Sequence, residues 1–201
     1  MRQRTLLSAI VVVVALTLTA CAEEAAPSEP PPSDALTPSP SASVEAAPTT
    51  FTQPATCAAA LPLERIAELE GERGLVLLGG PDGRYGLEYA LDPSPEERAG
   101  GITCIWGDGV TDVSVVTVSV APVSTSSRAP IVAQLLDQGL NETVEGDAIL
   151  YWQQGDTDEQ PAIVNVVRDN SWISVIQTTG GTDSYDEALV LADEARGMVY
   201  R

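Results

Sequence analysis

The 201-residue chain contains no histidine and no lysine, and all ten of its basic residues are arginine. The absence of histidine excludes Ser-His-Asp and Cys-His catalytic arrangements and any histidine-ligated metal. The absence of lysine excludes Schiff-base and Ser-Lys mechanisms. Acid–base chemistry is left to carboxylates, tyrosines and hydroxyl groups. We therefore expect a protein that is not an enzyme and that uses no cofactor and no metal.

Paired carboxylates are the remaining route to hydrolysis, as in glycosidases. Glu96-Glu97 and Asp186-Glu187 are adjacent pairs, but each stands where a loop or a helix start favours acidic side chains. The loop at residues 156–159 holds three acidic residues at near-alternating spacing. It does not match the Asp-x-Asp-x-Asp-Gly pattern of calcium loops, so no metal site is predicted there.

Long apolar runs are also missing, since the segment Leu6 to Leu18 is shorter than the roughly 20 residues that span a bilayer. Two arginines precede it, and Leu18-Thr19-Ala20-Cys21 ends it, which is the pattern of a signal peptide. These four residues match the lipobox of bacterial lipoproteins. We expect residues 1–20 to be a lipoprotein signal peptide and Cys21 to carry the lipid. A secreted protein with a chance cysteine at the cleavage site is the alternative.

The lipid would anchor the chain at the extracytoplasmic face of the bacterial cell membrane, because two or three acyl chains give stable attachment. Residues 22–54 are rich in Pro, Ser, Ala and Thr and hold few large apolar groups. Ordering such a segment costs more free energy than burial returns. Residues 21–54 are therefore predicted to be the lipidated cysteine and a disordered tether, spanning on the order of 30 Å.

Residues 55–201 are long enough for one extracytoplasmic domain with its own core. They contain 24 acidic and 8 basic residues, a net charge near −16. Nucleic acid should be repelled, so no nucleic-acid partner is expected. A solvated acidic surface explains this charge, and a cationic partner or divalent ions is the alternative interpretation.

Cys57 and Cys104 are the two cysteines left after Cys21 is assigned to the lipid. An even pair in an oxidising compartment is predicted to form one disulfide. A catalytic or metal-binding thiol is the alternative, but no histidine is present to activate it or to share a metal with it.

Periodicity and turn residues predict an α+β domain, an antiparallel sheet of five to six strands with two to three helices packed on one face. The predicted helices are Pro62–Glu70, Pro130–Gln138 and one opened by the capping box Ser184-x-x-Glu187. The predicted strands are Ile102–Trp106, Val113–Val120, Val144–Trp152, Ala162–Arg168 and Trp172–Thr179, with a further candidate over residues 87–91. Asp169-Asn170 is predicted to form a hairpin turn, because both residues tolerate positive φ.

The motifs together resemble the small actinobacterial envelope lipoproteins. The residues that carry the resemblance are Cys21, Cys57, Pro62 at a helix start, and the Cys-x-Trp strand with Cys104 and Trp106. The resemblance implies an α+β domain akin to the PsbP/Mog1 type, a helix-backed antiparallel sheet. That family has no established activity, so the resemblance implies fold and location rather than chemistry.

Trp152 and Trp172 are candidate ligand-binding residues at a shallow apolar site between sheet and helix, with core packing as the alternative. Trp172, Ser174 and Ile176 share one face of their strand, and the residues between them share the other. A face left uncovered by helices is where a partner would bind. The predicted function is a non-catalytic binding or sensing module for an envelope protein, lipid or glycan. A carboxylate-dependent hydrolase of cell-wall glycan is the alternative.

Overall fold

The computed structural model describes residues 50–156 and 159–201. The predicted signal peptide, the lipidation site Cys21 and residues 22–49 of the predicted tether lie outside these described residues. Within the described ranges, no helix has both the length and the apolar character needed to cross a bilayer.

Seven strands and four α-helices build the described part of the chain. The strands are β1 (Leu75–Gly79), β2 (Ile102–Asp108), β3 (Ser114–Pro122), β4 (Asn141–Glu145), β5 (Ala148–Gln153), β6 (Ala162–Val167) and β7 (Ser171–Gln177). The helices are α1 (Leu63–Ala67), α2 (Pro95–Arg98), α3 (Thr125–Asp137) and α4 (Thr182–Val199). A π-helical turn follows α1 at Glu68–Glu72, and 3-10 turns stand at Cys57–Ala59 and Gly86–Glu88.

The strands form one antiparallel sheet in the order β1-β2-β3-β7-β6-β5-β4. This confirms the predicted α+β class, with seven strands in place of five to six. Two meanders, β1 to β3 and β4 to β7, join where β3 pairs with β7. The connection through α3 carries the chain from the middle of the sheet to its far edge.

Helices cover both faces of the sheet, so the prediction of helices on a single face is wrong. Ile173 and Val175 of β7 share one apolar cluster with Leu191 of α4. Trp172 belongs to a second cluster, with Leu135 of α3. Alternate residues of a strand point to opposite faces, so α3 and α4 lie on opposite sides. We call these sides the α3 face and the α4 face.

A disulfide joins Cys57 to Cys104 in the core of the α4 face, with their Cα atoms 5.6 Å apart. This confirms the predicted bond. Trp106 lies in the same buried cluster, as its two-residue spacing from Cys104 predicts. Its indole Nε1 donates a hydrogen bond to Glu70 Oε1 at 3.2 Å.

Residues 50–54, which the sequence analysis assigns to the tether, lie against the domain. Phe51 forms a β-bridge with Tyr200, and the centroids of their rings are 5.8 Å apart. Gln53 Nε2 donates to the carbonyl of Val120 at 3.1 Å. Phe51 is the only phenylalanine of the chain, and burying its ring offsets the cost of ordering this segment.

Two predicted strands have a different structure. Residues 87–91 form no strand: the first two belong to the 3-10 turn Gly86–Glu88, and the other three form bends. The segment predicted as one strand from Val144 to Trp152 is the hairpin β4–β5, turned at Gly146 with φ +60°. Strand β1 was not predicted, because its short apolar run has no alternation that marks a strand.

Two predicted helix starts are also wrong. Helix α3 begins at Thr125, five residues before Pro130, because Ser124 and Ser127 cap it reciprocally. Helix α4 begins at Thr182 without a side-chain cap, so the predicted capping box at Ser184 is absent. In the β6–β7 turn, neither Asp169 nor Asn170 has positive φ, although the hairpin itself is present.

Candidate functional site

A row of small polar side chains crosses the α3 face of the sheet. Thr103 on β2 pairs in register with Ser119 on β3, Ser119 pairs with Ser174 on β7, and Ser174 pairs with Asn165 on β6. The exposed fraction of each of the four residues is between 2% and 5%. Four neighbouring strands therefore each place one buried hydroxyl or amide group in a continuous line, which we call the polar row.

Hydrogen bonds order both ends of the polar row. Ser119 Oγ donates to Thr103 Oγ1 at 3.0 Å, and Thr103 Oγ1 shares a second hydrogen bond with Ser94 Oγ at 2.7 Å. At the other end, Trp172 Nε1 donates to Asn165 Oδ1 at 2.8 Å. The indole therefore fixes which way the Asn165 amide points.

The short helix α2 holds a carboxyl group over the polar row. Ser94 caps the helix by accepting from the Glu97 backbone N–H at 3.1 Å, and Glu97 Oε2 accepts from the Ser94 N–H at 2.7 Å. This capping box occupies Glu97 and turns the neighbouring Glu96 toward the sheet. Glu96 is only 6% exposed.

Within residues 50–156 and 159–201, the carboxyl of Glu96 has hydroxyl neighbours but no cationic partner. Burial raises the pKa of Glu96 above its usual range, and the charge of Glu97 adds to the rise. Its own backbone N–H and the hydroxyls of Ser174 and Ser94 oppose the rise, because they favour the ionised form. No arginine stands among the residues that line the space around the carboxyl.

A cavity of about 140 Å³ lies above the polar row, between α2 and the C-terminal half of α3. Glu96 lines it on one side and Gln134 and Gln138 on the other. Apolar groups complete the walls, among them Leu135, Ile163 and Ile176. We call this space, with the polar row as its floor, the sheet groove.

The structure brings only one of the two candidate tryptophans to the sheet groove. Trp172 lines it, and its strand neighbours Ser174 and Ile176 do so as well. Trp152 lies on the α4 face, where its indole packs on the Tyr185 ring with centroids 5.2 Å apart. Its Nε1 donates to Thr143 Oγ1 at 3.0 Å. The expected joint site between the two tryptophans is therefore absent, because they point to opposite faces.

Glu96 was considered in the sequence only as half of the pair Glu96-Glu97 and was set aside, and Asn165 was not named as a site residue. The capping box Ser94-x-x-Glu97 was the sequence signal for Glu96, because it assigns Glu97 to the helix cap and leaves the carboxyl of Glu96 free. The signal for Asn165 was one amide in the otherwise apolar run of β6. Neither signal shows that the two residues lie at one site, since 69 positions of sequence separate them.

A second, larger depression of about 670 Å³ lies along the loop before β2. The exposed side chains of Leu87 and Leu91 line it together with Pro93. Small-molecule sites generally combine apolar walls with a few convergent polar groups. The sheet groove combines apolar walls with hydroxyl, amide and carboxyl groups from several strands and helices, whereas the polar side chains of the loop depression are two carboxylates, Glu88 and the capping residue Glu97.

Comparison with known proteins finds no family model, no curated protein and no solved structure that matches this chain. The resemblance to actinobacterial envelope lipoproteins and the PsbP/Mog1-like fold both stay predictions. Function is therefore inferred from the chemistry of the sheet groove and from the sequence.

Proposed function

We propose that this protein is a lipid-anchored, extracytoplasmic lipoprotein whose domain is a non-catalytic binding module of the cell envelope. The sheet groove is its ligand site. The observation that carries the proposal is the polar row on the central strands, with the buried carboxyl of Glu96 above it and a cavity between.

The polar row makes the domain less stable than apolar side chains at the same four positions would. Apolar side chains at the centre of a sheet gain free energy from burial, whereas buried hydroxyls and amides gain little and need partners. The row is also continuous across four strands instead of scattered. Departures of this kind from the best packing are expected at functional sites.

The same geometry favours binding over the hydrolase. Glycosidases need two carboxyl groups about 5 to 10 Å apart on either side of the scissile bond. Glu96 is the only carboxylate among the residues that line the sheet groove. The neighbouring Glu97 is engaged in the cap of α2.

Anchoring through Cys21 is supported by the lipobox Leu18-Thr19-Ala20-Cys21 behind a short apolar segment. We expect Cys21→Ala to leave the membrane fraction or to accumulate as uncleaved precursor, because the acylated thiol would be lost. Fractionation with and without detergent, followed by mass measurement, tests this. A Cys21→Ala protein that is still cleaved and still needs detergent would contradict the lipobox interpretation.

Nuclear magnetic resonance titration of the processed protein tests the binding site. The probes are soluble muropeptides and vesicles of phosphatidylethanolamine. We expect at least one probe to shift the amide signals of Asn165 and Ser174 more than those of the loop that carries Leu87 and Leu91. Shifts confined to that loop, or no shift with any probe, would contradict the sheet groove as the ligand site.

Two isosteric variants provide a matched pair for this titration. Thr103→Val removes a hydroxyl of the polar row, and Thr143→Val removes one from β4 on the α4 face. Each loses one hydroxyl and keeps a β-branched side chain suited to a strand. We expect Thr103→Val to weaken binding and Thr143→Val to leave it unchanged. Equal effects would show that the polar row has no specific role.

A further inference from the structure

We propose that the sheet groove binds a primary ammonium group on a short aliphatic stem, with the Glu96 carboxylate as its counterion. The proposal rests on the sheet groove being the ligand site. It adds the chemical class of the ligand.

The lining of the sheet groove supplies no countercharge for Glu96. Glu96 is the one charged side chain among the residues lining the sheet groove. The arginines nearest in sequence bind elsewhere: Arg98 donates to the carbonyl of Pro93, and Arg84 pairs with Asp112 at 3.2 Å. A buried carboxylate without a cation carries a large desolvation cost. A bound ammonium would supply the charge that the protein does not.

The donors of an ammonium group match the acceptor groups of the sheet groove. An ammonium group carries three donors and no acceptor. The Glu96 carboxylate, the hydroxyls of Ser94 and Ser174 and the side-chain amides of Gln134 and Gln138 can each accept a hydrogen bond, and all five residues line the groove. Groups that can accept from an ammonium therefore lie on both sides of the cavity.

The size and the walls of the sheet groove also suit a small ligand with methylene groups. A cavity of about 140 Å³ has room for only a few water-sized groups, since one water occupies about 30 Å³ in the liquid. Leu135, Ile163 and Ile176 offer apolar contact to methylene groups. A guanidinium can pair bidentately with one carboxylate, but it then leaves three further donors to satisfy in the same small space. A compact ammonium on an unbranched stem has three donors in all and therefore suits this cavity better.

The net charge of the domain acts on ligands at long range. The domain's 24 acidic and 8 basic residues give it a strongly negative field, which raises the local concentration of cations and repels anionic ligands. This field does not select the groove by itself. It makes an anionic ligand unfavourable for any site on the domain.

Calorimetric titration of the full processed protein with 1,4-diaminobutane tests the proposal, and butane-1,4-diol serves as the neutral probe of equal length. We expect the diamine to bind at least tenfold more tightly than the diol. Glu96→Gln keeps the shape of the side chain and removes its charge, and it should weaken diamine binding at least tenfold. Glu97→Gln is the matched control, because it removes the adjacent charge and can still cap α2. It should change affinity less than threefold.

Three results would overturn the proposal. Equal binding of diol and diamine would show a groove for neutral ligands, and the binding-module function would stand. Diamine binding that survives Glu96→Gln would place the amine on surface acids. Absence of diamine binding would show that the sheet groove does not take a ligand with an ammonium group. The muropeptide and lipid titrations test the binding function separately.

Discussion

Removing the Cys57–Cys104 disulfide should cost this domain about a third or more of the stability that an ordinary domain has. The bond joins residues 47 positions apart. The chain-entropy relation for a loop of that length predicts a loss of about 4 kcal/mol in the free energy of unfolding. Both sulfurs are buried in the core of the α4 face. Alanine at both positions therefore adds a loss of packing to the loss of the cross-link.

The assay is urea unfolding of the Cys57→Ala/Cys104→Ala protein beside the oxidised wild type, followed by tryptophan fluorescence and circular dichroism. For a domain of about 150 residues, 4 kcal/mol corresponds to a fall of roughly 8 to 16 °C in Tm. We also expect a steeper dependence on urea in the variant, because the unfolded chain without the cross-link exposes more surface.

Reduced wild-type protein is the matched control, since it keeps both sulfur atoms and loses only the bond. Its unfolding free energy should lie between those of the variant and the oxidised protein. A variant within about 1 kcal/mol of the oxidised wild type would refute the loop-closure argument for this chain. A reduced protein as stable as the oxidised one would do the same.

Three further predictions concern the tryptophans and Glu96. Trp172→Phe leaves the buried Asn165 Oδ1 without its indole donor and should cost at least about 1 to 3 kcal/mol of unfolding free energy, measured in urea. Trp152→Phe keeps a ring against Tyr185 and should cost less than about 1 kcal/mol without changing ligand affinity. Burial raises the pKa of Glu96 in the folded state, so the folded protein holds a proton that the unfolded chain releases. The free energy of unfolding of the wild type should therefore fall as the pH rises from the ordinary glutamate pKa through the raised one. Glu96→Gln has no carboxyl to titrate at this position. In urea unfolding between pH 4 and pH 7, the free energy of unfolding of the variant should therefore rise relative to that of the wild type as the pH increases.

Each of these three predictions has a contradicting outcome. A Trp172→Phe protein of unchanged stability would mean that the indole hydrogen bond does not orient Asn165. A loss of ligand affinity in Trp152→Phe would place the site on the α4 face. A difference between wild type and Glu96→Gln that stays constant with pH would show that the Glu96 carboxyl is not desolvated in the folded domain.

Local chemistry was enough to predict several features of the fold. Two cysteines left in an oxidising compartment predicted the disulfide, and the spacing of Cys104 and Trp106 placed the indole in the same core. Alternation and a polar turn predicted the β6–β7 hairpin. These features depend on residues a few positions apart or on the number of cysteines, and a single sequence contains all of that information.

The sequence did not predict where the helices begin or which face of the sheet each helix covers. Ser124 rather than Pro130 begins α3, because reciprocal capping by Ser127 outweighs the preference of proline for the first turn. Which face a helix covers depends on how the chain crosses the sheet. The crossover from β3 to β4 places α3 opposite α4, and no local pattern specifies that crossing.

Tertiary structure decided which residues meet at the candidate site. The sequence singled out the strand face of Trp172 and Ser174, but not the residues that join them there. Thr103, Ser119 and Asn165 belong to strands far apart in the chain, and only the register of β2, β3, β6 and β7 aligns them. Side-chain alternation determines which face a polar residue takes within one strand. The pairing between strands determines which polar residues become neighbours. That pairing is set by the hydrogen bonds of the whole sheet and not by any one strand.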